Sequence, residues 1–130
     1  MRVFRTLGLL GLFSLLAACA TPFGPPTTLD GKLRRLGYSQ GEPIRTILGF
    51  DLSGWSYLDR SHIALGTGLG RAYLVEFAQP CDNLQAGNRI GYSSRAAGLR
   101  PGDLIISNAP AGDAERCTIG ELYKLIPLDR

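Results

Sequence analysis

The chain has 130 residues, with 14 lysines and arginines against 11 aspartates and glutamates. Two of the basic residues, Arg2 and Arg5, stand at the extreme N-terminus, so the remainder of the chain is close to neutral. This length suits one small domain, and the charge excludes the basic footprint of a nucleic-acid-binding protein.

The first 18 residues have the order of a secretory signal. Positive charge at Arg2 and Arg5 precedes a short apolar run that ends at Leu16, and small residues lead up to Cys19. The run is too short to cross a bilayer as a permanent helix, which needs about 20 residues. We therefore expect residues 1–18 to be a signal peptide that directs the chain to an oxidising compartment.

The segment Leu16-Ala17-Ala18-Cys19 resembles the lipobox of bacterial lipoproteins. The resemblance implies that Cys19 is acylated and becomes the new N-terminus, which would anchor the protein stably to a membrane. Ala20 stands where an aspartate would indicate retention at the inner membrane in enteric bacteria. By that analogy we expect the outer membrane, with the domain facing the periplasm. The alternative interpretation is ordinary signal-peptide cleavage and release of a soluble periplasmic protein from Thr21.

Residues 19–28 carry the expected lipidated cysteine and a proline-rich, uncharged tether of about 3 Å per residue. A helix is expected over residues 29–36, because Thr28 can cap it, leucines recur at helical spacing and Gly37 can end it. Three basic residues on this helix either contact anionic head groups or form a solvated polar face, and the second interpretation is favoured; they are Lys32, Arg34 and Arg35.

From residue 44 onward, short apolar runs alternate with glycine and proline, a texture that predicts strands and tight turns. In the clearest strand, residues 72–77, Tyr73, Val75 and Phe77 share one face. The expected strands are 44–48, 54–58, 62–65, 72–77, 90–93 and 104–107, with hairpin turns at 59–61 and between 65 and 72.

The helical spacing of Ile119, Leu122 and Leu125 predicts a helical turn that runs into a last strand. The expected fold of residues 29–130 is therefore mainly β: a small curved antiparallel sheet or partly closed barrel with a short N-terminal helix against it.

Cys81 and Cys117 are expected outside the obvious strands and are predicted to form a disulfide. The bridge would close a loop worth about 3.8 kcal/mol in the chain-entropy model. The alternative, a reactive thiol pair, lacks both Cys-x-x-Cys spacing and an evident basic neighbour that would lower a thiol pKa.

The sequence predicts no catalytic residue, no metal site and no cofactor. His62 is the single histidine, and its adjacency to Asp59 and Ser61 along the chain does not supply the convergent geometry of a catalytic triad. One histidine and two oxidised cysteines are too few ligands for zinc. The glycines of residues 66–70 resemble a phosphate-binding loop, but a strand rather than a helix is expected to follow.

Residues 97–105, Ala-Gly-Leu-Arg-Pro-Gly-Asp-Leu-Ile, are similar to a run found in bacterial PDZ domains. Upstream, Gly68, Leu69 and Gly70 stand where a carboxylate-binding loop would precede a strand. The resemblance implies capture of a peptide C-terminus at a sheet edge, and this is the alternative function. A simple turn at Pro101-Gly102 explains the same residues, and little chain remains after Leu125 for a closing strand.

A wider resemblance extends from residue 41 to residue 128. The chain is similar there to a family of small bacterial lipoproteins of unknown function, which implies the location, a small domain and the same cysteine pairing, but no catalytic residues. The matching elements are Gly41-Glu42-Pro43, Trp55 with Leu58, residues 72–76, Pro80-Cys81 with Leu84, Ile90-Gly91, Ser94, Gly102-Asp103 and Cys117 with Ile119.

The sequence thus predicts a lipid-anchored envelope protein, monomeric or weakly associating, that is not an enzyme. It would bind or support another envelope protein, a peptide or a glycan, and its ligand and oligomeric state stay open. Trp55 and Tyr57 are the aromatic candidates for an exposed contact. A place in the core is the more common role for such residues.

Overall fold

A computed structural model of the chain describes residues 28–49, 54–66, 71–84, 89–108 and 114–129. The expected signal peptide, Cys19 and the tether up to residue 27 lie outside these ranges. The described residues form one helix and seven strands: α1 (Leu29–Leu36), β1 (Tyr38–Ile44), β2 (Ser56–Asp59), β3 (His62–Leu65), β4 (Ala72–Phe77), β5 (Arg89–Ser93), β6 (Leu104–Asn108) and β7 (Glu115–Pro127).

Helix α1 has the bounds that its capping residues predict. The side chain of Thr28 accepts a hydrogen bond from the amide of Gly31 at 3.1 Å. Gly37 ends the helix in the left-handed conformation, with φ of 91°, and its amide donates to the carbonyl of Arg34. Leu33 is fully buried, so the helix is held by packing on one side of the sheet.

The basic residues of α1 are largely engaged within the domain. Lys32 Nζ donates to the carbonyl oxygen of Leu58 at 2.9 Å, which ties the helix to β2. Arg34 pairs with Asp30 one turn earlier, at 3.1 Å between exposed side chains. Lys32 and Arg34 thus have partners within the domain, while Arg35 is exposed.

The strands form one antiparallel sheet in the order β2-β3-β4-β7-β6-β5, with β1 also paired to β7. The sheet curls into a half-barrel, which confirms the predicted fold class. The two predicted hairpins are present as the β2–β3 and β3–β4 pairs.

Strand β7 organises the sheet because it bonds to three others. Its C-terminal half lies between β4 on one edge and β1 on the other. Its N-terminal half pairs with β6, while the amide of Ala78, just beyond β4, donates to the carbonyl of Thr118. Strands β1 and β6 therefore follow one another along the same edge of β7.

The predicted helical turn near the C-terminus is wrong, since Glu115–Pro127 is one continuous strand. Phe77 pairs with Ile119 and Glu76 with Glu121, so Gly120 is an extra residue in a β-bulge. The bulge shifts the inward face from Ile119 to Leu122, and Leu125 then points to the opposite face. The spacing of three between Ile119 and Leu122 thus comes from the bulge. The spacing of three between Leu122 and Leu125 comes from two residues on opposite faces of the strand, so neither spacing indicates a helix.

Both faces of the central strands are buried. Inside the curl lies the larger core cluster, to which Val75, Phe77 and Leu122 contribute, with Tyr73 packed against it. Beneath α1 lies a second cluster that contains Leu33, Leu74 and Leu125. The face shared by Tyr73, Val75 and Phe77 is confirmed, and the opposite face of β4 is buried as well.

The first strand was expected at 44–48 but runs from Tyr38 to Ile44. Its polar sequence, with Gly41 and Pro43, lacks the alternation of apolar residues that predicts a strand. Its partner β7 is about 80 residues away in the sequence, so no local pattern indicates the pairing. A register irregularity between Gln40 and Pro43 accommodates the proline. Ile47 lies beyond the strand and forms an isolated bridge with Leu99.

Candidate functional site

The predicted disulfide is present, with 5.8 Å between the Cα atoms of Cys81 and Cys117. Both cysteines are buried, and Cys117 lies within β7 rather than outside the strands as expected. The strand was missed there because its inward positions were assigned to a helical turn. The amide of Cys81 also donates to the carbonyl of Arg60, which fastens the bridge to the β2–β3 turn.

Glu115 lies beside this disulfide, but the three side chains do not offer a metal site. The two sulfur atoms and a carboxylate oxygen lie within 4.8 Å of one another. The sulfurs are bonded to each other, however, and the two oxygens of Glu115 accept the amides of Asp82 and Asn83 at 3.0 and 2.5 Å. The cluster is therefore a structural cap on the turn that follows Cys81.

The two aromatic candidates have different environments. Trp55 is half-buried and packs against the interior core, whereas Tyr57 on β2 is 38% exposed. Tyr57 borders a shallow groove of about 400 Å³ that also contains Pro80 and His62. Of the two, Tyr57 is the residue available for an external contact.

Gly68, Leu69 and Gly70 lie outside the described residues, but the strand that follows them is informative. A PDZ-type site would add a peptide to a free edge of that strand. Strand β4 is hydrogen-bonded to β3 along one edge and to β7 along the other. The pairing leaves β4 no edge for a peptide, so it does not support the alternative function.

The PDZ-like run has another role, because its residues build a tight corner against the segment after β1. Ile47 and Leu99 exchange two backbone hydrogen bonds of 2.9 Å, and both side chains are fully buried. Asp103 accepts the amide of Arg100 at 2.8 Å, and its own carbonyl accepts the amide of Ile119. The corner is thereby fixed to the core and to β7.

This corner forms one wall of a groove at the point where β1 ends and β6 begins. The groove has a volume of about 710 Å³, within the usual range for ligand sites. We call it the Arg45–Arg100 groove after its two cationic residues. Its lining residues are Pro43, Ile44, Arg45, Thr46, Arg100, Pro101 and Glu121.

A row of ionisable side chains crosses the sheet and ends at the same groove. Asp59, His62, Glu76 and Glu121 stand on four adjacent strands, each directly paired with the next. The two nitrogens of His62 lie 2.8 Å from Asp59 Oδ1 and 3.1 Å from Glu76 Oε2. Both are engaged by carboxylates, so the ring is not placed to activate the hydroxyl of Ser61.

Tyr123 lies close to the acidic end of this row. Partial burial, followed by the negative charges of Glu76 and Glu121, raises the pKa of its phenol above the ordinary value of 10.0. The phenol therefore stays neutral at pH values where an exposed tyrosine ionises.

The sequence does not predict this groove. The run at 97–105, to which Arg100 belongs, is notable in the sequence only for its resemblance to PDZ domains and its Pro-Gly turn. Nothing in the sequence near Arg45 or Glu121 predicts a binding site, because exposed charged residues are common in and after strands. Strand pairing alone brings the three segments together.

The chain matches the model of a family of unknown function, DUF6491, over residues 2–129. It therefore belongs to that family, and the resemblance to a family without assigned activity is confirmed. No curated protein and no solved structure matches the chain. Among the described residues there is also no helix long and apolar enough to span a membrane.

Proposed function

We propose that this chain is a lipid-anchored protein of the bacterial cell envelope that acts as a binding module. Its anchor would be Cys19, in the lipobox-like segment that follows the signal-like residues 1–18. The buried disulfide suits an oxidising compartment such as the periplasm. The outer membrane is the proposed location, by the analogy drawn from Ala20.

The observation that carries the binding role is the Arg45–Arg100 groove. It is a concave surface with walls fixed by backbone pairing, and it combines apolar side chains with a few charged ones, as ligand sites do. The proposal assigns no catalysis to the protein. In support of this, the ring nitrogens of His62 face Asp59 and Glu76.

Mass spectrometry of the membrane fraction tests the anchor. The chain and its Cys19→Ser variant are expressed in a bacterium that processes lipoproteins, and the intact masses are compared. We expect the wild type to begin at Cys19 with an added mass of three acyl chains, and the variant to remain an unacylated precursor. A wild-type product that begins at Thr21 without acyl mass would refute the anchor.

A further inference from the structure

We propose that the Arg45–Arg100 groove binds a ligand through a phosphate or carboxylate group, held by the guanidinium groups of Arg45 and Arg100. This inference rests on the binding role proposed above and specifies the chemistry of the ligand. The supporting observations are the fixed walls of the groove, its two arginines without an ion pair among the described residues, and Glu121, the one acidic residue of its lining.

The walls are set before any ligand arrives. Arg45 stands two residues before Ile47, and Arg100 directly follows Leu99, so the bridge between Ile47 and Leu99 fixes both backbones. Asp103 holds the amide of Arg100 at 2.8 Å. A preformed backbone lowers the ordering cost of binding, which leaves only the two long side chains to be immobilised.

Within the described ranges, neither arginine of the groove forms an ion pair. Arg34 and Arg60 pair with Asp30 and Asp82. Arg45 and Arg100 make no side-chain hydrogen bond or ion pair within the described part of the chain, although they line one groove.

Two like charges that share a concave site repel one another, and a bound anion relieves that repulsion. The planar fork of a guanidinium matches the oxygens of a carboxylate or phosphate in bidentate fashion. Thr46 adds a hydroxyl to the same lining, and Pro43 and Pro101 supply apolar surface for the rest of the ligand.

Glu121 is the one acidic side chain among the lining residues of the groove. It stands at the end of the row of ionisable side chains that begins at Asp59. Its negative charge opposes an anion, so its removal should strengthen anion binding while the loss of either arginine weakens it. Opposite changes in anion affinity distinguish a specific site from a general loss of folding, which would weaken binding in every variant.

A second groove supplies the matched control. It is lined by Arg71, Tyr73 and Lys124 among others and has a volume of about 370 Å³. Arg71→Gln removes the same charge as Arg45→Gln from this other cationic groove. A loss of binding in Arg71→Gln would therefore show that the anion binds in the second groove.

The experiment uses the processed protein purified from the bacterial host in neutral detergent micelles, with titration calorimetry at constant ionic strength maintained by chloride. Inorganic phosphate, acetate and glycerophosphoglycerol are titrated in turn. We expect saturable binding of at least one probe. Arg45→Gln and Arg100→Gln should each raise the Kd about tenfold, as the loss of a charge-assisted contact implies. Glu121→Gln should lower the Kd about twofold, the size of effect expected for one exposed charge, and Arg71→Gln should leave it unchanged.

The probes distinguish the two sources of such a group. Preference for glycerophosphoglycerol indicates a lipid head group, and preference for phosphate or acetate indicates a free oxyanion. Absence of saturable binding by all three overturns the inference, as does loss of binding in Arg71→Gln with retention in Arg45→Gln.

The mass of the same preparation reports the anchor independently. Acylated protein without anion affinity refutes the proposed ligand chemistry and leaves the anchor standing. Unacylated protein that binds phosphate refutes the anchor and leaves the ligand chemistry standing.

Discussion

The imidazole of His62 lies between two carboxylates that belong to two different neighbouring strands. Its ring nitrogens lie 2.8 Å from Asp59 Oδ1 and 3.1 Å from Glu76 Oε2. Asp59 Oδ1 also accepts the amide of Ser61 at 2.7 Å. Three adjacent strands are thereby joined on their polar side through one ring.

We expect His62→Ala to lower the free energy of unfolding by about 1–2 kcal/mol, because the partly buried contacts of the ring with Asp59 and Glu76 are lost. Urea denaturation monitored by circular dichroism measures the change. Gln79→Ala, at an exposed position after β4, is the control and should have almost no effect. Equal effects of the two substitutions would mean that the row of side chains does not contribute to stability.

The raised pKa of Tyr123 predicts a loss of stability in alkali. The folded state holds the phenolic proton more tightly than the unfolded state, so the contribution is fully present below about pH 10 and is lost as pH rises through the folded pKa. In Tyr123→Phe the decline in unfolding free energy between about pH 9 and 11 should be shallower. Tyr57→Phe serves as the control, and identical pH profiles for Tyr123→Phe and the wild type would contradict the prediction.

At the scale of elements, the corner between β1 and β6 depends on Gly98. Its φ is +87°, and an added Cβ would lie 2.8 Å from the carbonyl oxygen of Ile47. An alanine at this position would have a strained backbone, because its φ is positive. Its Cβ would also clash with the Ile47 oxygen, which cannot move freely since it accepts the amide of Leu99.

We expect Gly98→Ala to destabilise the domain by about 2 kcal/mol or more. Gly91→Ala on β5 is the matched control, since a Cβ there meets no atom within 4 Å and φ is not positive. Thermal unfolding of the two variants measures the difference. If both melt like the wild type, the corner yields easily and its walls are not preformed.

The elements that sequence analysis predicts correctly are those with local signals. Helix α1 has a cap at Thr28 and a stop at Gly37, and β4 is apolar at every position except Glu76. Strand β1 has neither a capping residue nor an apolar run. Its hydrogen bonds to β7 hold it in the sheet despite its polar composition. The Gly120 bulge makes a strand resemble a helix, since one extra residue changes a period of two into a spacing of three.

The groove was harder to predict than the fold. Its charged residues come from three segments, around 45, 100 and 121, and only the pairing of β7 with β1 and β6 brings them together. Hydrophobic periodicity reports which side chains are buried, and these side chains are exposed. Sequence analysis therefore predicts the fold class and several of the strands, but not the groove.

At the scale of the whole molecule, the disulfide is a main source of stability. It joins the segment after β4 to β7, 36 residues apart, and the chain-entropy model assigns such a loop about 3–4 kcal/mol. We expect the Cys81→Ser/Cys117→Ser double variant to lose that amount in urea denaturation. Wild-type protein measured with and without dithiothreitol is the companion experiment, and no stability difference in either comparison would refute the prediction.

The arrangement around β7 also has a mechanical consequence. The N-terminal chain enters the domain through α1 and continues directly into β1, whose first residue, Tyr38, pairs with Pro127 near the far end of the chain. The amide of Leu128 also donates to the carbonyl of Gly37. Tension applied through the N-terminus would therefore reach α1 and the first rungs between β1 and β7 before it reaches β4, which pairs along the other edge of β7.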